Sequence, residues 1–191
     1  MSVSAHFPAS QKVFLIGYRG TGKTQTGRIL ARFLGRPFID LDDYICEHEG
    51  ASIKDMVERN GWPYFRNLER EALQEMCDAE GPLVVACGGG AVLHEDLLER
   101  ITAAYPVVWL TARKETIVER VLSDERSAGS RPALTNASSL ADEVERVISE
   151  RRPLYERFAW FSVATDNVTP EEAARLMAEG LEKGVRRIHG R

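Results

Sequence analysis

Residues 12–24 of the chain read KVFLIGYRGTGKT, an apolar run that leads directly into a glycine-rich stretch. The part from Gly17 to Thr24 satisfies GxxxxGK followed by Ser or Thr, the signature of a phosphate-binding loop. This signature needs a strand before it and a helix after it, and the chain supplies both patterns, an apolar run followed by helical periodicity. We therefore predict a phosphate-binding loop that joins the first strand of the domain to its first helix.

The chemistry of this loop follows from its residue types. Glycines let successive backbone N–H groups face the phosphates of a nucleotide, and the start of the helix adds its positive dipole. Lys23 can reach the β- and γ-phosphates, and the hydroxyl of Thr24 suits Mg²⁺. The alternative, a chance glycine-rich turn, is disfavoured by the full eight-residue match. We assign nucleoside triphosphate binding to Gly20, Thr21, Gly22, Lys23, Thr24 and Gln25.

The rest of the chain alternates short apolar runs with longer segments of helical periodicity. This alternation is typical of β-α-β units and of a parallel sheet covered by helices on both faces. A length of 191 residues, 43% of them hydrophobic, fits one domain over residues 1–191. We predict an α/β protein with a three-layer α/β/α arrangement. Its five parallel strands are expected at Val13–Ile16, Pro37–Asp40, Leu83–Ala86, Val107–Leu110 and Phe161–Ala164.

Composition narrows the range of partners and cellular settings. The net charge of −4 argues against a general nucleic-acid or acidic-membrane surface, which needs a clustered basic excess. The three cysteines lack CxxC spacing and the four histidines form no ligand motif, so we expect reduced thiols and no protein-ligated transition metal. No apolar run has the length of a signal peptide or a membrane span. We expect a cytoplasmic monomer that binds neither nucleic acid nor membranes.

Carboxylates end the second predicted strand, in the sequence Asp40-Leu41-Asp42-Asp43. Side chains at the carboxyl end of a parallel strand beside the phosphate loop project into the crevice where ligands bind in open α/β sheets. One carboxylate can serve the water shell of a metal ion, and the other can bind an acceptor hydroxyl. The alternative for such residues is helix capping, a role that we expect Asp43 to take.

Two arginines are candidates for binding an anion. Arg66 and Glu69 are three residues apart on a predicted helix and therefore neighbours. A carboxylate can fix a guanidinium for anion binding, whereas an exposed pair would contribute little to stability. Arg151 continues the apolar stripe that Val147 and Ile148 form on another predicted helix. A charge on a buried stripe requires a partner or an anionic ligand.

Two unusual loops complete the candidate site. Gly88, Gly89 and Gly90 come just after the apolar strand PLVVA, where glycines permit unusual backbone angles and close approach of a ligand. The alternative there is a plain turn between a strand and a helix. Residues 123–136, SDERSAGSRPALTN, have little hydrophobic periodicity, and a loop of this length is usually functional or disordered. We predict a substrate-facing loop at the glycines and a mobile lid at residues 123–136.

Together these motifs resemble those of the shikimate kinase family. They run in the family's order from about Lys12 to Pro170: GYRGTGKT at 17–24, DLD at 40–42, FR at 65–66, GGGA at 88–91, RP at 131–132 and RRPLY at 151–155. The glycine-rich loop alone marks a very large superfamily, whereas the DLD, FR, GGG and RxPLY set is narrow. The resemblance implies a phosphate-binding-loop kinase fold similar to that of nucleoside monophosphate kinases. It also implies phosphorylation of the 3-hydroxyl of shikimate by ATP with Mg²⁺, on the route to aromatic amino acids.

The resemblance further implies roles for residues on the acceptor side. Arg66 and Arg151 would hold the shikimate carboxylate, while Asp42 and the loop Gly88–Gly90 would hold its hydroxyls. Asp42 is also expected to orient or deprotonate the hydroxyl that is phosphorylated. A substrate-binding insertion is expected at about residues 41–78. Shikimate is an anion with three hydroxyls, so two arginines, an aspartate and backbone donors suit it.

On the nucleotide side, the resemblance implies a lid arginine, Arg131, that meets the phosphates, and an arginine near the adenine, Arg120. Lys23, Mg²⁺ and Arg131 would neutralise charge during phosphoryl transfer, in which most catalysis is positioning and electrostatics. Thr24, and Asp40 through water, would hold the metal. The lid looks longer than in compact members of the family, so Arg126 stays open as the alternative to Arg131.

Two other functions stay open from the sequence. A kinase of another hydroxy acid such as gluconate would keep the phosphate loop but should lack the joint FR, GGG and RxPLY set. A non-catalytic, nucleotide-dependent regulator would not need Lys23, Asp42, Arg66 and Arg151 all intact. A regulatory GTPase is disfavoured because the chain has no Asn-Lys-x-Asp motif to read the base.

Overall fold

A computed structural model of the chain describes residues 11–123 and 139–184. Within these residues a parallel sheet has the strand order β2-β3-β1-β4-β5, with the strands numbered along the chain. Each predicted strand is present, and its ends differ by at most one residue from the expected ones. The α/β class and the five parallel strands are confirmed. The strands are β1 (Val13–Ile16), β2 (Phe38–Asp40), β3 (Val84–Ala86), β4 (Val107–Thr111) and β5 (Phe161–Ala164).

Helices cover both faces of the sheet, which confirms the three layers. The α-helices of the described residues are α1 (Lys23–Leu34), α2 (Leu41–Glu49), α3 (Ile53–Asp78), α4 (Glu95–Ala104), α5 (Lys114–Ser123), α6 (Leu140–Phe158) and α7 (Pro170–Glu182). Side chains alternate along β1, so that Phe14 and Ile16 pack on one face while Val13 and Leu15 pack on the other. Helices α2, α3, α4 and the end of α6 cover the first face, and α1 and α7 cover the second.

A third apolar cluster positions the phosphate loop. Tyr18, which is 2% exposed, packs against Ile117 and Val121 of α5 and against Val144 and Val147 of α6. The buried stripe predicted on the helix that carries Arg151 is therefore the stripe that meets this tyrosine. The cluster fixes α5 and the first half of α6 beside the loop.

The two predicted segments around the site differ in how far the structure describes them. Residues 41–78, the expected insertion, form α2, α3 and their connection, and α3 bends at Gly61, where φ is 80°. Of the predicted lid, only Ser123 is described, as the last residue of α5. The other lid residues, Arg131 among them, lie outside the described residues.

Two expectations from composition can be compared with the structure. Within the described residues, none of Cys46, Cys77 and Cys87 forms a disulfide. Burial raises the pKa of the Cys87 thiol far above its ordinary value, so this residue stays uncharged. Over residues 11–123 and 139–184, no helix combines the length and the apolar character that crossing a membrane requires.

Candidate active site

The phosphate-binding loop lies between β1 and α1 and is folded around its own lysine. Its glycines all have positive φ angles: Gly17 at 142°, Gly20 at 77° and Gly22 at 89°. A Cβ on Gly17 would lie 2.4 Å from the carbonyl oxygen of Leu110, so a side chain there would clash with β4. The Nζ atom of Lys23 donates to the carbonyl oxygens of Gly17 (2.8 Å) and Tyr18 (2.9 Å).

Asp40 connects the phosphate loop to α2. Its Oδ2 accepts a hydrogen bond from the hydroxyl of Thr24 (2.5 Å), and its Oδ1 accepts one from the backbone N–H of Asp42 (3.1 Å) as the N-cap of α2. The expectation that Asp43 would cap this helix is wrong. The strand ends at Asp40 with extended backbone angles, and Asp43 already lies in the first helical turn, where it pairs with Arg28 (3.5 Å).

Thr24 and Asp40 fit Mg²⁺ by the chemistry of their donor atoms. Both residues supply oxygen, the ligand atom that this hard cation prefers, and they already lie in contact beside the phosphate loop. Mg²⁺ usually keeps several waters and takes one or two carboxylates plus phosphate oxygens, so a site with few side chains is sufficient. Among the residues that the structure describes, no group of three or more His, Cys, Asp or Glu side chains could hold a metal ion.

A pocket opens next to the phosphate loop, with Tyr18 and Arg19 of that loop in its wall. Part of its wall is apolar and is formed by Ile53, Trp62 and Phe65. The charged residues of the pocket are Arg19, Asp42, Arg66, Glu69 and Arg151. Three arginines against two carboxylates suit an anion that also carries groups able to donate hydrogen bonds.

Arg66 is fixed in this pocket by a fully buried carboxylate. Its Nη1 donates to Oε2 of Glu69 (2.6 Å), and Glu69 is 0% exposed. Nε2 of His94 lies 3.2 Å from the same oxygen. Burial raises the pKa of Glu69, but the hydrogen bond from His94 and the charge of Arg66 outweigh it and hold the pKa below its ordinary value. Glu69 is therefore an anion at neutral pH, and the Arg66 guanidinium lies over the ring of Trp62 (5.0 Å).

Arg151 reaches the glycine loop from α6. Its Nη1 donates to the carbonyl oxygen of Gly89 (2.7 Å), and the hydroxyl of Tyr155 donates to the same oxygen (3.0 Å). Tyr155 is buried and stacks on Trp109 of β4, with ring centroids 5.5 Å apart. Burial raises the pKa of Tyr155 to about 12, so its hydroxyl remains a donor. Arg151 is thus placed in the pocket with a defined orientation.

Two of the three glycines after β3, Gly88 and Gly90, are required for space. None of the three has a positive φ, so the expectation of unusual backbone angles is wrong, and the expected close approach of a ligand stays a prediction. A Cβ on Gly90 would lie 1.8 Å from Nη1 of Arg66. A Cβ on Gly88 would lie 2.4 Å from Oε1 of Glu69 and 2.7 Å from Oδ1 of Asp42. The loop therefore packs directly against the charged groups of the pocket.

Arg120 of α5 bridges the phosphate loop and the loop after β5. Its Nη2 donates to the carbonyl oxygen of Thr165 (2.6 Å), and its Nη1 donates to the Thr165 hydroxyl (2.9 Å). That hydroxyl also lies 3.1 Å from the carbonyl oxygen of Thr21, to which it can donate. Arg120 therefore stabilises the nucleotide side of the site through Thr165, which is 4% exposed.

Three charged or titratable side chains at the site were missed by the sequence analysis. His94 belongs to no ligand pattern, and Glu143 is one of many acidic residues on α6. Arg19 occupies a variable position of the phosphate-loop signature. Its positive charge at that position was the one feature of the sequence that could have identified it as a site residue. The contacts join residues 25 apart for His94 and Glu69, and 124 apart for Arg19 and Glu143. Local spacing cannot pair residues over such separations.

Comparisons with known proteins agree on one family. The family model described as shikimate kinase matches residues 19–182. The shikimate kinase of Syntrophus aciditrophicus is 40% identical over 169 residues, which cover 85% of this chain and 86% of that protein. A shikimate kinase from Acinetobacter baumannii, solved in complex with shikimate, has a TM-score of 0.84 at 29% identity, covering 93% of this chain and 96% of that one. A gluconokinase from Sinorhizobium meliloti, with 22% identity and a TM-score of 0.54, shares the fold alone.

Proposed function

The chain belongs to the shikimate kinase family, and from this we propose that it transfers the γ-phosphoryl group of ATP to the 3-hydroxyl of shikimate. The products are ADP and shikimate 3-phosphate, on the route to aromatic amino acids. One observation supports this proposal at the level of residues. The pocket that contains Asp42, Arg66 and Arg151 shares a wall with the phosphate loop, through Tyr18 and Arg19. A phosphoryl donor and an anionic acceptor can therefore bind side by side.

Arg66 and Arg151 bind the carboxylate of shikimate in this proposal. Both line the pocket, and each is already fixed by an acceptor, Glu69 for Arg66 and the carbonyl of Gly89 for Arg151. A guanidinium that is fixed beforehand loses little conformational entropy when an anion binds, which favours charge-assisted hydrogen bonds. The Gly88–Gly90 loop is then available for the hydroxyls of the acceptor.

Asp42 is the proposed partner of the reacting hydroxyl. It is 8% exposed, lies in the first turn of α2 and lines the pocket. Its carboxylate orients the 3-hydroxyl and accepts the proton as the oxygen forms a bond to the γ-phosphorus. The bond between the γ-phosphorus and its bridging oxygen breaks, and ADP leaves with that electron pair. Most of the catalysis comes from positioning and charge neutralisation.

Lys23 and the backbone N–H groups of the phosphate loop bind the phosphates of ATP. In this proposal, Thr24 binds Mg²⁺ directly and Asp40 binds it through water. When bound, Mg²⁺ neutralises charge on the β- and γ-phosphates. Arg120 supports the nucleotide side of the loop. Arg131 is the proposed lid contact to the phosphates and lies outside the described residues.

Several broader expectations stay predictions. They are the single domain with a substrate-binding insertion and a mobile lid, the monomeric state, the absence of nucleic-acid and membrane partners, and the cytoplasmic location. Light scattering on the purified chain measures the oligomeric state directly, and we expect the mass of one chain.

A coupled ADP-release assay tests the function. Purified protein is given ATP and Mg²⁺ with shikimate, gluconate or a nucleoside monophosphate as the acceptor. We expect turnover with shikimate alone, because among these three acceptors only shikimate combines a carboxylate, for Arg66 and Arg151, with ring hydroxyls, for Asp42. Turnover with gluconate and not with shikimate would assign the site to another hydroxy acid. ATP binding without turnover of any acceptor would favour a regulator.

A further inference from the structure

Arg19 belongs to both halves of the active site. Its backbone is part of the phosphate loop, between Tyr18 and Gly20, and its side chain lines the acceptor pocket with Arg66 and Arg151. The side chain is 10% exposed. A guanidinium in this place lies where the donor and acceptor sites meet.

A buried carboxylate on another helix holds Arg19. Its Nη2 donates to Oε1 of Glu143, and the hydroxyl of Tyr18 donates to the same oxygen (3.2 Å). The Glu143 side chain is 5% exposed and lies in the first turn of α6, the helix that also carries Arg151. Glu143 therefore fixes the Arg19 guanidinium relative to both the phosphate loop and the acceptor pocket.

The bond to Glu143 leaves hydrogen-bonding capacity on the guanidinium. Arginine has five N–H donors, and among the described residues the Nε of Arg19 is buried without a hydrogen-bond partner. This Nε has no exposed surface, so the donors that a ligand oxygen can reach are those of the Nη atoms, of which Nη2 also donates to Glu143. The side chain is thus prepared for an anionic oxygen on a ligand.

The charge of the acceptor changes during the reaction. Shikimate enters with one carboxylate, and the product carries a phosphate group as well. Arg66 and Arg151 are the partners proposed above for the carboxylate, whereas Arg19 emerges from the phosphate loop itself. The phosphoryl group passes from the phosphate loop to the acceptor, so it is the group that reaches Arg19.

We propose that Arg19 contacts the transferring phosphoryl group from the acceptor side, and that Glu143 is the positioning residue that holds it there. This inference rests on the proposed function. Arg19 then binds the transition state and the phosphorylated product more strongly than it binds shikimate. Such differential binding raises kcat and has little effect on the affinity for shikimate.

Substitution of Arg19 separates this role from that of the carboxylate-binding arginines. Arg19→Met removes the charge and keeps the length, and Arg19→Lys keeps the charge without the fork of donors. We expect Arg19→Met to lower kcat by roughly 10²- to 10³-fold, the scale for one lost charge-stabilising donor. Its affinity for shikimate 3-phosphate should fall at least about tenfold, while its affinity for shikimate, measured by calorimetry, should change by less than about threefold. Arg19→Lys should retain part of kcat.

Glu143→Gln tests the positioning role, with Glu145→Gln as its control. Glu145 is on the same helix, is exposed and pairs with Lys114 (2.8 Å), so its substitution should leave the kinetics unchanged. Glu143→Gln should lower kcat without raising the KM for ATP or shikimate, because the neutral amide holds the guanidinium less firmly. A pure folding defect would instead lower the melting temperature while the remaining folded protein kept its kcat.

Three outcomes would overturn the inference. They are an unchanged kcat in folded Arg19→Met, equal losses of affinity for shikimate and shikimate 3-phosphate, and unchanged kinetics in Glu143→Gln. If Arg19→Met does not fold, Arg19→Lys decides, since it should lose affinity for the product and keep affinity for shikimate. If the wild-type protein does not phosphorylate shikimate, the proposed function itself fails, and the Arg19 assignment with it. Normal wild-type turnover with an unaltered Arg19→Met variant contradicts only the inference about Arg19.

Discussion

The donor and acceptor halves of the active site are built in opposite ways. The phosphate loop is one continuous run, Gly17–Thr24, and its shape comes from the backbone, through left-handed glycines and carbonyls that hold Lys23. The acceptor pocket brings together side chains from α2, α3, the loop after β3 and α6. Those side chains are held by one another, as Glu69 holds Arg66.

This difference predicts how each half responds to substitution. In the donor half, we expect most phosphate contacts to come from backbone N–H groups, which every substitution except proline keeps, so the chemistry should depend on a few side chains such as Lys23. In the acceptor half, the arginines depend on fixed partners, Glu69 for Arg66 and the carbonyl of Gly89 for Arg151, and removal of Arg66 leaves the buried Glu69 without its ion pair. Turnover and acceptor affinity should therefore be separable by mutation.

Lys23→Ala should have the largest effect, and it should lower turnover far more than the affinity for shikimate. The ammonium compensates charge on the transferring phosphoryl group, and losing such a contact costs on the order of 10³-fold in kcat or more. Steady-state kinetics with saturating ATP and shikimate measures this loss, and circular dichroism verifies the fold. Lys114→Ala, on the surface, is the control and should behave as wild type. A near-normal kcat in folded Lys23→Ala would remove the phosphate loop from the mechanism.

Arg66→Ala and Arg151→Ala should instead reduce the affinity for shikimate and leave that for ATP unchanged. Loss of one member of a buried charge-assisted contact costs roughly 2–5 kcal/mol, or about thirty-fold to several thousand-fold in affinity. The double variant should lose less than the sum, because both arginines bind the same carboxylate. Calorimetric titration measures these affinities, with Arg152→Ala as the control.

Arg152 is a suitable control because it lies next to Arg151 on α6, is exposed and pairs only loosely with Glu156 (3.8 Å). If both single variants kept the wild-type affinity for shikimate, the two arginines would not bind its carboxylate. The contrast between the two halves of the site would then no longer hold for the acceptor half.

The same contrast explains what the sequence could predict. The phosphate loop and the strands are encoded locally, so the strand ends were predicted to within one residue. Two features of the acceptor pocket were also local: the three-residue spacing of Arg66 and Glu69, and the stripe from Val147 to Arg151. For these, helical periodicity alone brings the groups together.

The other features of the site depend on packing between segments that lie far apart in the sequence. The contacts of His94 with Glu69 and of Arg19 with Glu143 arise because the fold brings separate elements together, and no residue pattern records this. Asp40 rather than Asp43 caps α2 because the strand ends one residue before the helix begins, a boundary that residue types do not fix. Gly88 and Gly90 are needed because Glu69 and Asp42 lie against the first and Arg66 against the second.

Gly90→Ala should also reduce the affinity for shikimate, but by less than Arg66→Ala does. The new Cβ would lie 1.8 Å from Nη1 of Arg66, the movable end of a long side chain, so the guanidinium shifts while the fold persists. We expect a roughly tenfold loss of affinity for shikimate, the scale of one weakened charge-assisted hydrogen bond, and unchanged affinity for ATP. In an Arg66→Ala background the same change should add almost nothing, because the clash is gone. An equal loss in both backgrounds would place the effect elsewhere in the loop.

The smallest effect is expected in acid, through Glu69. Its pKa lies below the ordinary value of 4.5 because the His94 hydrogen bond and the Arg66 charge outweigh the effect of burial. A carboxylate with a lowered folded pKa contributes stability that is fully present above its unfolded pKa and is lost as the pH falls through the folded pKa. The free energy of unfolding of the wild type, relative to Glu69→Gln, should therefore be constant at neutral pH and decrease as the pH drops below about 4.5. Urea titrations of both proteins at a series of pH values measure this difference. Groups that do not contact Glu69 contribute equally to both proteins, so a difference that stays flat or grows in acid would mean that Glu69 is not held as an anion by Arg66 and His94.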